Sequence, residues 1–352
     1  MKVLITPLFG IGDVIITTPA VEILKKNRPD IHLTYFVIKE SIKQVLQNNP
    51  YIDEIIYYPL NSVPKWKGLF YMLKNVSNKF DVSLTFYPSN RKDYNLFSML
   101  TLSKIRIGHR YIRRDFLELN WLKNYTILED DNLHNVEENI KLLRFLGVEN
   151  VSEIPPVKIY LTEEEKIKGR HFVKKHSSSE INIGIHAGSS VFKNHINKRW
   201  PKEKFAELIN YFGSYHFFIF GGREDEDVNR LIKESVKNKN ITVVKNKTIR
   251  EVAGIMSHLD VFVSNDSGLM HLSAACGIPV VGIFGPTSSV FARPWCDKYK
   301  VVKLDLDCSP CFYYSPKPLN CKIYGDFRCI RDIPVEKVAK AVEDLVKQQR
   351  LV

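Results

Sequence analysis

The chain has 352 residues, which fits about two domains, and its 44% hydrophobic and 26% charged residues are those of an ordinary globular protein. No run of about 18 apolar residues occurs, which excludes a transmembrane helix. The formal net charge of +12 favours anionic partners, among them nucleic acid, an anionic membrane surface and phosphorylated substrates.

The start has only Lys2 as a basic n-region and no A-x-A-like cleavage site. It reads as a buried strand over Lys2 to Pro7, not a signal peptide, so a cytoplasmic location is expected. Leu8 to Asp13 is a glycine-containing loop. Ile15 to Lys26 carries apolar residues at helical spacing, with Pro19 in its first turns. A strand is predicted over His32 to Ile38, a helix over Ser41 to Gln47, a strand over Glu54 to Tyr58, a helix over Trp66 to Val76 and a strand over Val82 to Tyr87. Such alternation implies parallel βαβ units. Between Lys104 and Arg114 stand five basic residues and no acid (Lys104, Arg106, Arg110, Arg113, Arg114). A solvated basic loop and a binding patch both fit that run. The aromatics do not interleave with it as in a nucleic-acid-binding module, so no nucleic-acid partner is expected.

After Gly147, Asn150 to Lys158 contains Ile154-Pro155-Pro156 and reads as an extended linker. The alternation then restarts. Helices are predicted at Leu161 to Lys174, Phe205 to Phe212, Ile249 to Ser257 and Leu269 to Cys276. Strands are predicted at Ile181 to His186, His216 to Phe220, Ile241 to Val244, Val261 to Ser264 and Val280 to Phe284. The expected architecture is α/β, with two doubly wound parallel-sheet domains at residues 1–155 and 156–334. An amphipathic closing helix at 335–352 carries Val338, Ala341, Val342 and Leu345 on one stripe.

Ligands of open α/β sheets bind outside the carboxyl ends of the strands, so the loops after strands carry the functional argument. In Gly10-Ile11-Gly12-Asp13 the glycines allow close backbone approach, and Asp13 stands at the mouth of a helix, where a cap and a general base look alike. Gly188-Ser189-Ser190 offers backbone and hydroxyl donors to phosphate, and Lys198 and Arg199 can counter a diphosphate. After Gly221-Gly222, Glu224 or Asp225 can accept from ribose hydroxyls or only complement a helix dipole. The most specific loop is Asp266-Ser267-Gly268-Leu269-Met270-His271, where a helix N-terminus faces the ligand and His271 follows Ser267 by one turn. Cys308, Cys311, Cys321 and Cys329 have spacing compatible with a tetrathiolate metal site, and a purely structural role is also open.

At these residues the sequence resembles glycosyltransferase family 9, the ADP-heptose:lipopolysaccharide heptosyltransferases. The resemblance runs through Gly12-Asp13-Val14-Ile15-Ile16-Thr17-Thr18-Pro19, Asn49-Pro50-Tyr51-Ile52-Asp53-Glu54, Lys198-Arg199-Trp200-Pro201, Asp266 to His271 and Phe284-Gly285-Pro286-Thr287. It implies a GT-B fold of two Rossmann-like domains facing an interdomain cleft, with an inverting, metal-independent transfer of heptose from ADP-heptose to a lipopolysaccharide inner-core acceptor. No cofactor is implied, because the nucleotide-sugar is a substrate. Asp13 would be the catalytic base. Gly188, Ser189, Ser190, Lys198, Glu224, Asp266, Ser267, Gly268 and His271 would bind the donor. Gly12, Arg110, Arg113 and Arg114 would meet an anionic glycolipid acceptor at the inner face of the cytoplasmic membrane. A different nucleotide-sugar, a protein acceptor as in iron-binding protein heptosyltransferases, and a non-catalytic nucleotide-binding module are the alternatives.

Overall fold

The computed structural model describes residues 1–237, 239–313 and 318–350, so the last two residues of the expected closing helix lie outside it. Two compact units divide the chain, the first running from Met1 to Tyr160 and the second beginning at Leu161.

In the first unit the elements run β1 (Lys2–Ile5), α1 (Ile11–Ile15), α2 (Thr18–Asn27), β2 (His32–Val37), α3 (Glu40–Leu46), β3 (Glu54–Tyr57), α4 (Lys65–Asn75), β4 (Val82–Leu84), α5 (Lys92–Leu100), β5 (Ile105–Arg110), β6 (Tyr125–Leu128) and α6 (Asn135–Lys141). The strands form one parallel sheet in the order β3-β2-β1-β4-β5-β6. Val3, Leu4 and Ile5 of β1 are all fully buried, as a strand covered on both faces requires.

Three sequence expectations need correction here. The single helix expected from Ile15 to Lys26 is two helices, broken at Ile16 and Thr17. Thr17 and Thr18 donate their hydroxyls to the carbonyls of Val14 and Ile15, each at 2.7 Å, and Pro19 has no N–H to continue the ladder. Asp13 is not a helix cap, because the cap position of α1 belongs to Gly10 and Asp13 stands inside the first turn. The basic run is not wholly a loop, since Ile105 to Arg110 is a sheet strand. Its alternation of charges hid it, and the strand is anchored from inside by buried Ile107 and His109.

The second unit contains α7 (Glu163–His176), β7 (Asn182–His186), α8 (Lys202–Tyr211), β8 (His216–Ile219), α9 (Glu226–Ser235), β9 (Ile241–Val243), α10 (Ile249–Met256), β10 (Val261–Asn265), α11 (Gly268–Ala275), β11 (Val280–Ile283), α12 (Ser289–Ala292), β12 (Tyr299–Val302), α13 (Arg328–Arg331) and α14 (Val335–Arg350). Its parallel sheet has the order β12-β11-β10-β7-β8-β9. Numbered by their own strands, both sheets are therefore 3-2-1-4-5-6, the Rossmann order, with the reversal between β1 and β4 in one and between β7 and β10 in the other. Helix α7 begins with a reciprocal cap, in which the Glu165 N–H donates to the Thr162 hydroxyl at 3.2 Å and the Thr162 N–H to the Glu165 carboxylate at 2.8 Å. The stripe of α14 enters the core of this unit, where Val338, Val342 and Leu345 join Phe205 and Ile209 of α8.

Candidate active site

Each strand order reverses at one place, and there the loops part to leave room for a ligand. In the second unit that place lies after β7 and β10, and it gathers most of the residues singled out in the sequence.

Lys198 donates from Nζ to Asp266 Oδ2 at 2.8 Å, and both side chains are buried. Burial pushes the Asp266 carboxyl up, but the Lys198 charge and hydrogen bond outweigh it and hold the group below the usual carboxylate range. Asp266 leads through Ser267 into α11, whose first turn has no side-chain cap. Its opening N–H groups are thereby left for a ligand. His271, one turn further, is buried, and its Nδ1 has no hydrogen-bond partner among the described residues. Burial lowers its pKa to about 4, Asp266 pulling up and Lys198 down, so the imidazole is neutral at neutral pH. His195 is likewise brought down to about 4, by burial first and the Lys198 charge second.

A second layer of polar groups holds these loops. His186 lies 2.9 Å from the Ser267 hydroxyl through Nδ1 and 3.3 Å from Asp225 Oδ2 through Nε2. In the tautomer that donates from Nε2 to Asp225, His186 accepts from Ser267 at Nδ1 and orients that hydroxyl. Arg199 donates to Asp225 Oδ1 at 2.9 Å and to the Ser189 carbonyl at 2.5 Å. Burial alone would raise the Asp225 carboxyl, yet the hydrogen bond with His186, the Gly222 N–H and the Arg199 charge bring it below the ordinary range. Asn265 donates to the Ala187 and Gly188 carbonyls at 2.9 and 3.2 Å and accepts from the Trp200 N–H at 2.9 Å. The loops after β7, after β8 and after β10 are thus bound into one frame.

The roles read from sequence sort out accordingly. Lys198, Asp266, Ser267, Gly268 and His271 come together, and Gly188 and Ser189 sit on the same frame. Ser190 is exposed beside them and accepts from the Phe192 N–H at 3.2 Å. Arg199, expected to counter a diphosphate, is instead a structural clamp held by Asp225. Asp225, a candidate ribose acceptor, is turned inward, whereas Glu224 is exposed. His186, His195 and Phe312 were not singled out. The Phe312 ring lies edge-on to His195 at 5.3 Å and under Lys198 at 5.7 Å, though more than a hundred residues separate it from them in sequence. It is brought there because the N–H groups of Cys311 and Phe312 donate to the Pro286 carbonyl at 3.0 and 2.9 Å.

Gly188 is a position where only glycine fits. A Cβ there would stand 2.1 Å from Asp225 Oδ1 and 2.4 Å from its carboxyl carbon. Gly188→Ala is therefore expected to displace Asp225 from Arg199 and His186 together and to weaken nucleotide binding by at least ~10-fold, the scale of one or two charge-assisted hydrogen bonds. Calorimetric titration with ADP checks this, and unchanged affinity would show that the frame does not shape the site.

In the first unit the loop after β1 carries Gly12, buried, and Asp13, partly exposed. Oδ2 of Asp13 lies 2.5 Å from where a Cβ on Gly10 would be, so a glycine at 10 is what lets the carboxylate fold back over the turn. Burial first and the Asp13 charge second push the hydroxyls of Tyr35 and Tyr94 far above the ordinary tyrosine range. Arg91 stacks on Phe9 at 4.9 Å and on Tyr94 at 5.8 Å, lining the same loop with a cation.

The basic run looks different in three dimensions. Arg110 pairs with Asp115, Arg113 with Asp131 at 3.2 Å and Arg114 with Glu118 at 3.1 Å. All three guanidinium groups remain exposed, but each already has a carboxylate. Among the described residues no group of three or more His, Cys, Asp or Glu is disposed to hold an ion. Cys321 is nevertheless brought down to about 7, chiefly by the N–H of Phe327 and then those of Tyr324, Ile323 and Gly325.

Two Rossmann-ordered parallel sheets with flanking helices, shared with solved glycosyltransferase structures, make this a GT-B fold. The family model for glycosyltransferase family 9 (heptosyltransferase) matches residues 93–321, and the chain belongs to that family and is a glycosyltransferase. A curated relative, lipooligosaccharide heptosyltransferase 2 of Campylobacter jejuni, is 26% identical over an alignment of 359 residues that covers all of both chains. The crystal structure of a family 9 glycosyltransferase from Veillonella parvula superposes with a TM-score of 0.77 at 28% identity, covering 99% of this chain and 97% of that one. The structure of ADP-heptose LPS heptosyltransferase II from Escherichia coli shares the fold, with a TM-score of 0.76 at 20% identity over 99% of this chain and 100% of that one.

Proposed function

We propose that this enzyme moves a heptose from ADP-heptose to a lipopolysaccharide inner-core acceptor by a single inverting displacement, with Asp13 as general base and without a metal ion. The observation that carries the reading is the buried Lys198–Asp266 pair at the mouth of α11, with the Nδ1 of His271 one turn further in lacking a partner among the described residues. As the glycosidic bond to the donor breaks, negative charge grows on the departing diphosphate. Lys198 and the opening N–H groups of α11 are fixed charges that stabilise it without Mg²⁺. Ser267, oriented by His186, and the backbone at Gly188, Ser189 and Ser190 supply further donors. Glu224 is the exposed carboxylate suited to ribose hydroxyls. Asp13 takes the proton of the attacking acceptor hydroxyl as that oxygen bonds to the anomeric carbon. The heptosyltransferase names of the curated relatives support the sugar and the lipopolysaccharide acceptor. A glycolipid acceptor further implies cytoplasmic residence with peripheral contact at the inner membrane face, where Gly12, Arg110, Arg113 and Arg114 are the acceptor-side candidates.

The test is a binding and transfer screen over nucleoside diphosphates and their sugars in the presence of EDTA. ADP should bind most tightly among the diphosphates, and transfer from ADP-heptose should survive chelation. A preference for UDP or GDP, or loss of transfer in EDTA that Mg²⁺ restores, would overturn the donor or the metal-free part respectively.

A further inference from the structure

The first unit carries an apolar surface that the candidate site does not use. Helix α4 reads Lys-Trp-Lys-Gly-Leu-Phe-Tyr-Met-Leu-Lys-Asn, and only Gly68 and Met72 are buried in it. Met72 reaches the cluster of Leu4, Phe36 and Phe97 beneath. On the outer side Trp66 is 68% exposed, Phe70 65%, Leu73 52% and Leu69 45%. Positions 66, 69, 70 and 73 are neighbours on one helix face, so this is a continuous apolar stripe. Single exposed apolar side chains are ordinary, but a contiguous stripe with two large aromatics marks an interaction surface.

Helix α5 extends it. The two helices share a core cluster through Met72 and Phe97, and Ser77 just after α4 donates to the Leu100 carbonyl of α5 at 2.6 Å. Leu96 and Met99 of α5, and Leu102 after it, are exposed.

Charge decides what the surface fits. From Ile55 to Phe80 the chain contains Lys65, Lys67, Lys74 and Lys79 and no Asp or Glu. Among the described residues none of these four lysines is ion-paired, in contrast to Arg110, Arg113 and Arg114. A Trp/Phe/Leu face edged by unpaired lysines is the pattern of a helix lying in the interface of an anionic bilayer, with aromatic rings at headgroup depth and ammonium groups among the phosphates. A protein partner would leave the uniformly basic edge unexplained.

We propose that α4, with the outer face of α5, is a docking surface for an anionic lipid bilayer. The basic run at Lys104 to Arg114, with its guanidinium groups already paired, is then secondary. The proposal rests on the glycolipid-acceptor reading only for its purpose, because bilayer binding is measured without any transfer.

The full-length protein is floated with vesicles of phosphatidylethanolamine and phosphatidylglycerol, and with vesicles of phosphatidylcholine alone, at low salt. The wild type should bind the anionic vesicles preferentially. Trp66→Ser/Phe70→Ser should lower that partition at least ~10-fold through lost apolar insertion, and Lys65→Gln/Lys67→Gln/Lys74→Gln should abolish the preference for phosphatidylglycerol. Both variants change exposed side chains, so melting temperature and ADP affinity should stay at wild-type values. A wild type that ignores anionic vesicles, or a Trp66→Ser/Phe70→Ser protein that floats as well as wild type, overturns the proposal. So does a wild-type dimer in light scattering that the aromatic variant turns monomeric with no vesicle binding, since a second copy then covers the face. Loss of ADP binding in the wild type with vesicle binding intact would sink the donor reading and leave this one standing.

Discussion

Asp13→Asn should yield a protein that folds normally, binds ADP normally and has lost at least ~100-fold in kcat, the lower end of what general-base catalysis contributes. The substitution separates two roles that a carboxylate at a helix start can have. A cap would be replaced almost without loss, because Asn caps about as well as Asp. In this fold the cap position is Gly10, and Asp13 lies in the first turn of α1, folded back over the glycine. One structural contribution is the favourable interaction of a carboxylate with the helix dipole, worth ~0.3–1 kcal/mol and visible as a small shift in melting temperature. The base role is different in kind, since an amide has no basic oxygen to take the acceptor proton. Steady-state kinetics with saturating donor, alongside thermal melts, measures both. If more than about a tenth of wild-type kcat survives, a barrier change under ~1.4 kcal/mol, Asp13 is not the base.

How far the sequence reveals this site depends on the distance over which each residue's meaning is set. The strands of the second unit are apolar runs bounded by glycine and polar loops, so their positions follow from local pattern, and the loops after them follow as ligand-facing. Asp266-Ser267-Gly268 before an apolar helix is likewise local information. The roles of Arg199 and Asp225 are not. Each stands next to plausible phosphate- or ribose-binding residues, and only the fold brings the two within 2.9 Å across 26 positions of sequence, turning both from ligand contacts into a clamp. The same holds for the basic run, whose partners Asp115, Glu118 and Asp131 all come after it in the chain. Net charge along a segment says nothing about neutralisation by the turns that follow. Strand β5 was obscured for a related reason: Arg106 faces partly outward and bonds the Leu122 and Ser103 carbonyls at 2.8 and 2.9 Å, while buried His109 pairs with Glu138 at 2.7 Å, so polar residues occupy both faces of a real strand.

Lys198→Met should cost both stability and donor binding, and a second substitution should return the first without the second. Lys198 and Asp266 are buried together at 2.8 Å. Removing the ammonium leaves a carboxylate in a site that burial makes hostile to charge, and breaking a buried pair from one side typically costs ~3–5 kcal/mol. A lowered melting temperature in Lys198→Met is therefore expected whether or not the lysine touches a ligand, so stability alone cannot assign its role. Lys198→Met/Asp266→Asn removes the stranded charge. Neutral replacement of both partners is often harmless to a fold, so most of the lost stability should return. Donor binding should not return if Lys198 faces the diphosphate as proposed, because that cation is still missing, and hydrogen bonds to charged groups are worth ~1.5–3 kcal/mol each. On that scale ADP affinity in the double variant should remain at least ~10-fold below wild type. Denaturant unfolding and calorimetric titration on the same three proteins give the answer. Recovery of ADP affinity along with stability would mean that Lys198 serves only to neutralise Asp266, and the diphosphate would then have to be held by the α11 N-terminus and the hydroxyls around it.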